Sequence, residues 1–214
     1  MIGFIGGTGP EGKGLALRFA LAGEKVLIGS RDEARAKEAA DSLAGDAPPG
    51  SVEGKSNADV ARESDIVFIA VPYSAQRPTL ESLKELLEGK LMVNVIAPLA
   101  FDKGRASAMR VEAGSAAEEA RDILPNSPMV AAFHNISAQE LLIPDRALDT
   151  DVVVCADDSE AKQKVMALAD AISGVRAVDG GGLANARYVE DLTALLLNIN
   201  RIYKAHSMIK IVGI

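Results

Sequence analysis

The feature that most constrains this chain is the loop Gly7-Thr8-Gly9-Pro10-Glu11-Gly12 near its start. It follows the apolar run Ile2-Gly3-Phe4-Ile5 and precedes a helical pattern over Leu15 to Ala22, with Leu15, Phe19 and Ala22 on one face. Glycine is the costliest residue to order, so its repetition at G-x-G-x-x-G spacing needs a cause. One glycine permits a tight turn, the second admits a pyrophosphate to the backbone, and the third lets helix and strand pack closely. The phosphates then rest on unpaired amides at a helix N-terminus. A tight turn without a ligand has the same glycines, but strand before and helix after is the context of dinucleotide binding. No Gly-Lys-Ser/Thr follows, which excludes the P-loop alternative. Lys13 either adds charge to the site or is simply solvated.

Strand and helix patterns alternate through the first half. Lys25 to Gly29, Asp65 to Val71 and Leu91 to Val95 read as apolar strands. Asp32 to Leu43 and Leu80 to Leu87 read as helices, and Asn57 is placed to cap a short helix ending at Glu63. Continuous apolar strands fit a parallel sheet covered on both faces. The rhythm predicts an α/β fold with a doubly wound, Rossmann-type sheet, its strand carboxyl ends all on one side. Further on come a helix over Ser115 to Leu124, a strand over Met129 to Phe133 and a strand over Asp151 to Ala156. A helix over Ser159 to Ile172 follows, capped by Asp157 or Asp158, then a strand over Val175 to Asp179. A long helix covers about Asn185 to Lys204, and Met208 to Val212 is a candidate terminal strand. This gives a dinucleotide-binding domain over residues 1–148 and a small C-terminal α/β extension over 149–214, with the option that both share one sheet.

Composition narrows the function. The 214 residues carry a net charge of −7, a poor match to nucleic acid or an anionic membrane. No apolar run is long enough to span a bilayer, and the N-terminus lacks the basic start of a signal peptide. The single cysteine, Cys155, excludes an intrachain disulfide and reads as a small core residue. The expectation is a reduced, cytoplasmic protein. No His or carboxylate cluster suggests a metal. Asp157-Asp158 fits capping, and Glu190-Asp191 either faces solvent or orders the loop near Arg187.

The end of the second strand sharpens the ligand. A binder of NAD usually has an acid there for the ribose diol, whereas this chain has Ile28-Gly29-Ser30-Arg31-Asp32. A hydroxyl and a guanidinium suit a 2′-phosphate, which an acid would repel. Arg35 lies one helical turn on, so NADP is favoured over NAD. The competing reading is a solvated helix face on which Asp32 and Glu33 pair with the arginines. Val71-Pro72 and Ala97-Pro98 fall at strand carboxyl ends, where a cofactor would lie, or simply end their strands. His134, one of two histidines, follows the strand at Met129. It either faces the nicotinamide or orients its loop. His206 reads as a surface residue.

With these residues in view the chain resembles the F420-dependent NADP reductases, which act on a deazaflavin coenzyme. The stretches that carry the likeness are GGTGPEGKGLALRFALAGEKVLIGSR, VPYSAQ, GSAAEEA, AAFHNISAQELL and GGLANARYVEDLTALLLNIN, in order across nearly the whole chain. The first is shared with many NADP enzymes, and HNISA and the GGLANARYVEDLT stretch are more specific. The resemblance implies reversible hydride transfer between NADP(H) and coenzyme F420. It places Thr8, Ser30, Arg31 and Arg35 at NADP, and Pro98, His134, Ile136 and Ala138 around the deazaflavin ring. Thr193 and Leu197, on the last helix, are placed near that coenzyme. Pro10-Glu11 falls where such proteins vary. No side chain is expected to be an essential catalyst, because the two coenzymes carry the chemistry, and His134 is assigned an orienting or stabilising role. Two alternatives share the same N-terminal half: an NADPH-dependent reductase of a small organic substrate or ferric iron, and a non-catalytic NADP-sensing regulator. Leu192 to Ile199 is either core or the seam of a homodimer, and Leu195-Leu196-Leu197, apolar on more than one side, favours the homodimer.

Overall fold

The computed structural model describes residues 1–214. Six strands lie parallel: β1 (Ile2–Ile5), β2 (Val26–Ser30), β3 (Val52–Ser56), β4 (Ile66–Ile69), β5 (Leu91–Asn94) and β8 (Met129–Ala131). Between β5 and β8 an antiparallel hairpin, β6 (Leu99–Asp102) and β7 (Arg105–Ala108), stands apart from the sheet. Its turn residues Lys103 and Gly104 both have positive φ, the requirement of a two-residue hairpin turn. β9 (Thr150–Ala156) and β10 (Val175–Asp179) complete one eight-stranded sheet of order β10-β9-β8-β5-β4-β1-β2-β3. The helices are α1 (Pro10–Leu21), α2 (Glu33–Asp41), α3 (Asn57–Glu63), α4 (Tyr73–Leu87), α5 (Ala116–Ile123), α6 (Ala138–Leu141), α7 (Ser159–Asp170) and α8 (Ala186–Tyr203).

The two parts of the chain therefore share a sheet. β9 pairs antiparallel to β8, so not every strand carboxyl end lies on one side as the alternation suggested. The link from β8 to β9 carries only the four-residue α6 in place of a crossover helix, and a parallel return needs a full crossover. The core is correspondingly continuous. Phe4, Phe19, Phe68 and Phe133 cluster with ring centroids 4.8–6.3 Å apart, in stacked, tilted and edge-on pairs, and join β1, α1, β4 and the loop after β8. Cys155 is fully buried in β9.

Several local expectations are corrected. β3 escapes an apolar pattern search because it is a charged edge strand, Val-Glu-Gly-Lys-Ser. Its Gly54 is required, since a Cβ there would meet the backbone of Ala36 at 2.3 Å. Ala22 is exposed and does not share the buried face of Leu15 and Phe19. α4 begins at Tyr73 and not at Leu80, because Pro78 reads as a break yet is accommodated inside the helix. The cap of α3 is Ser56, whose Oγ accepts from the Asp59 amide, and not Asn57. Of the two candidate caps for α7, Asp158 is the one used, while Asp157 accepts from the Leu183 amide ahead of α8. Glu190 is buried and accepts from the Ala116 and Ala117 amides at 2.8 and 3.1 Å, so it ties α8 to the start of α5. Met208 to Val212 forms no strand. Asp151 and Thr150 use their own groups on Ile209, and the Asp151 carboxylate takes the Ile211 amide and Arg176, so no regular ladder can form.

Candidate nucleotide and deazaflavin site

The glycine loop leaves β1 at its carboxyl end. Gly6 has φ +75°, a left-handed turn that side chains disfavour, and its amide donates to the Asn57 Oδ1 at 3.1 Å. The remaining glycines divide by what a Cβ would meet. On Gly12 it would strike the Gly7 Cα at 2.5 Å, so this pair lets α1 pack onto the strand below. On Gly9 it would meet nothing within 4 Å, so the bare backbone there faces open space. Gly9 is also the N-cap of α1 and supplies no capping side chain. A cleared backbone at an uncapped helix N-terminus is the cradle an oxyanion needs, and the residues present fit a pyrophosphate.

The loop opens on a cavity of about 760 Å³ that gathers Thr8, Gly9, Ser30, Arg31, Arg35, Val71 and Pro72. At the end of β2, Ser30 Oγ accepts from the Asp32 amide, leaving its hydroxyl hydrogen free to donate. Asp32 is occupied as the N-cap of α2, accepting from Ala34, and Glu33 pairs with Lys37. Neither acid neutralises the arginines, and both guanidiniums are exposed at the cavity without an ionic partner. Gly6, Asn57, Ala75 and Thr79 also line this cavity, and the sequence reading did not single them out. Asn57 reads as a cap in the sequence because its residue type suits both tasks, while in the structure its Oδ1 accepts from the Gly6 amide. A second hollow of about 370 Å³ adjoins, floored by Pro78 and Leu83 and sharing Ser30, Arg31 and Asn57.

The other candidate residues form a separate group. Pro98 is buried beyond β5, next to the half-buried Ala97. Past β8, Phe133 takes φ +68°, a strained conformation for a bulky residue, and turns the chain into His134. His134 is only 7% exposed, and neither ring nitrogen has a partner. Burial drives its pKa down to about 3, so the imidazole is neutral with one donor and one acceptor unspent. α8 holds this loop: Thr193 Oγ1 donates to the His134 carbonyl, and Asn135 Nδ2 donates to Thr193 Oγ1 and the Val189 carbonyl. Ile136 is buried and Ala138 half-buried beside it. Leu197 lies on the exposed side of α8. Gly7, Gly12 and this second group do not line the large cavity. No group of three or more His, Cys, Asp or Glu is placed to hold a metal ion.

α1 connects the two groups. Arg18, 3% exposed, donates five hydrogen bonds to the carbonyls of Glu140, Leu141, Ile143, Pro144 and Arg146 at 2.6–3.4 Å. One turn earlier, Gly14 lies against Leu141 and the Ala138 carbonyl. The helix that begins at the glycine loop thus fixes the segment that follows His134.

A mostly parallel sheet with a glycine loop between β1 and α1 and basic side chains at the end of β2 defines a Rossmann-type dinucleotide-binding protein. Residues 1–98 match the family described as NADP oxidoreductase, coenzyme F420-dependent. The chain is 42% identical over 205 residues to the F420-dependent NADP reductase of Methanothermobacter thermautotrophicus, covering 93% of this chain and 88% of that one. It is 39% identical over 210 residues to that of Methanocaldococcus jannaschii, covering 95% and 94%. A crystal structure from Arthrobacter sp. FB24, provisionally assigned as an F420-dependent NADP reductase, superposes with a TM-score of 0.81 at 26% identity over 99% of both chains. This chain belongs to the F420-dependent NADP reductase family.

Proposed function

We propose that this protein catalyses reversible hydride transfer between NADP(H) and the deazaflavin coenzyme F420, with the residues of the two groups above in the roles that follow. The observation that carries the reading is the joining of the two groups by α1 in a chain that matches F420-dependent NADP reductases along nearly its whole length. When bound, the nicotinamide and the deazaflavin supply the chemistry, one as hydride donor and the other as acceptor. The protein binds, orients and excludes water.

The amides of Thr8, Gly9, Glu11 and Gly12 hold the pyrophosphate, with Pro10, which has no amide hydrogen, presetting the first helical residue. The Ser30 hydroxyl and the Arg31 and Arg35 guanidiniums read the 2′-phosphate. The adjoining hollow between Ser30, Asn57 and Pro78 accepts the adenine. Val71, Pro72, Ala97, Pro98, Ile136 and Ala138 form an apolar surround for the reacting rings, and Thr193 and Leu197 reach toward the deazaflavin from α8. His134 presents a neutral N–H and lone pair to that region. Its low basicity suits orientation and not proton donation from a cation. Residues 1–148 form the dinucleotide-binding part, and 149–214 complete the second ring's site.

The reading includes a homodimer in the cytoplasm. No helix is long and apolar enough to cross a membrane. On α8, Tyr188, Leu192, Leu195, Ile199 and Ile202 recur at alternating steps of four and three, the apolar spacing of a paired-helix seam. Tyr188, Leu195 and Ile202 are 66, 55 and 72% exposed in the single chain. Mixing purified protein with NADPH and F420 tests the activity. The deazaflavin absorbance is expected to bleach and to recover on adding excess NADP. Confirmed NADPH binding without bleaching refutes the reading.

A further inference from the structure

Glu11 is a carboxyl set inside an anion cradle. It lies between Gly9, whose backbone faces the open cavity, and Gly12, which packs on the strand. Glu11, Gly14 and Arg18 follow steps of three and four and share one face of α1. Arg18 on that face grips residues 140–146, and Gly14 meets Leu141 and Ala138. Glu11 stands one turn nearer the loop on this face, in the first turn of α1. The residue is partly exposed, but its Oε1 is sealed from solvent without a hydrogen-bond partner, as are both His134 nitrogens.

We propose that Glu11 makes NADP(H) binding proton-linked: the cofactor's phosphates settle on the loop only while this carboxyl carries its proton. This rests on the glycine loop being the pyrophosphate site. An ionised Glu11, in the first turn of α1, would set a second negative charge on the helix N-terminus that receives the incoming anion, and the few unpaired amides there cannot offset both. No neighbouring charge does so. On α1, Arg18 is taken up by carbonyls, and Lys13 lies off this face. On the facing segment His134 is neutral, while Glu140 pairs with Arg146 and sits beside His206. β1 and β4 carry no ionisable side chain. Burial alone pushes the Glu11 carboxyl up to about 8 in the free protein, and a bound anion raises it further. At neutral pH the acid is already protonated. Above about 8, binding must take up a proton.

Calorimetric titration of the intact protein with NADPH, at pH 7, 8 and 9 in buffers of differing ionisation enthalpy, tests this. Wild type is expected to take up close to one proton at pH 9, with Kd weakening toward about tenfold per pH unit. Glu11→Gln, which keeps the shape and cannot ionise, is expected to show no uptake and a Kd at pH 9 no weaker than at pH 7. NADH should show the wild-type slope, which places the linkage at the loop and away from the 2′-phosphate. Wild-type binding without proton uptake at pH 9 overturns the proposal, whether or not the variant folds. So does uptake that persists in Glu11→Gln. Absence of NADPH binding at every pH overturns the loop's assignment itself, a distinguishable result.

Discussion

Arg31 and His134 show opposite uses of charge at the level of single residues. Arg31 stands in the open cavity without an acidic partner because Asp32 is spent on capping and Glu33 on Lys37. Arg31→Glu is expected to weaken NADPH by roughly 10- to 100-fold, the size of one or two lost charged hydrogen bonds, and NADH by far less. Equal weakening in fluorescence titrations would falsify 2′-phosphate recognition. His134 gives up its charge to burial. With a folded pKa near 3 against 6.5 unfolded, it binds fewer protons when folded. Its contribution is complete above about pH 6.5 and is lost as pH falls toward 3, with a slope near 1.4 kcal/mol per pH unit. His134→Ala should therefore flatten the acid limb of a stability–pH curve and retain measurable turnover. Complete loss of turnover with both coenzymes still bound would show that an orienting role is too small. Ser30 and Arg31 were legible in the sequence because a motif fixes their offset from the loop. Asn57 was not, because its use depends on a Gly6 amide fifty-one residues away in the chain.

Among the elements, α1 carries the most. Its start follows the glycine loop, and its end anchors the chain after His134 through Arg18. Arg18→Met is expected to lose about 3 kcal/mol, since five carbonyls lose a charged donor, and Arg18→Lys to recover little because an ammonium cannot span them. Urea unfolding measures both variants. A loss below about 0.5 kcal/mol in Arg18→Met would show that solvent replaces the bonds without cost. Apolar strands and helix caps announced most elements before the structure did. β3 and the β6–β7 hairpin did not, because their residues are charged or exposed and the structure alone shows what they pair with. Asn198 on α8 bonds both the amide and the carbonyl of Ala106, so the hairpin is held by a contact no local pattern encodes.

For the molecule as a whole, alternation in the first half made the Rossmann sheet readable, while the reversal at β9 was hidden in a link without a crossover helix. The apolar stripe on α8 belongs to this scale. Leu195→Arg with Ile202→Arg is expected to convert a particle of twice the 22.4 kDa chain mass into a monomer in sedimentation velocity. A monomeric wild type would rule out the seam.

The Arg18 grip also sets an order of events. Its bonds join residues 122 to 128 positions apart. During synthesis α1 emerges more than a hundred residues before the carbonyls that receive its guanidinium. Until then that charge stays in water, and α1 cannot bury the face that bears it. The first strands and helix therefore wait for a segment far along the chain, and closure of α1 against residues 140–146 becomes a late step governed by a long loop.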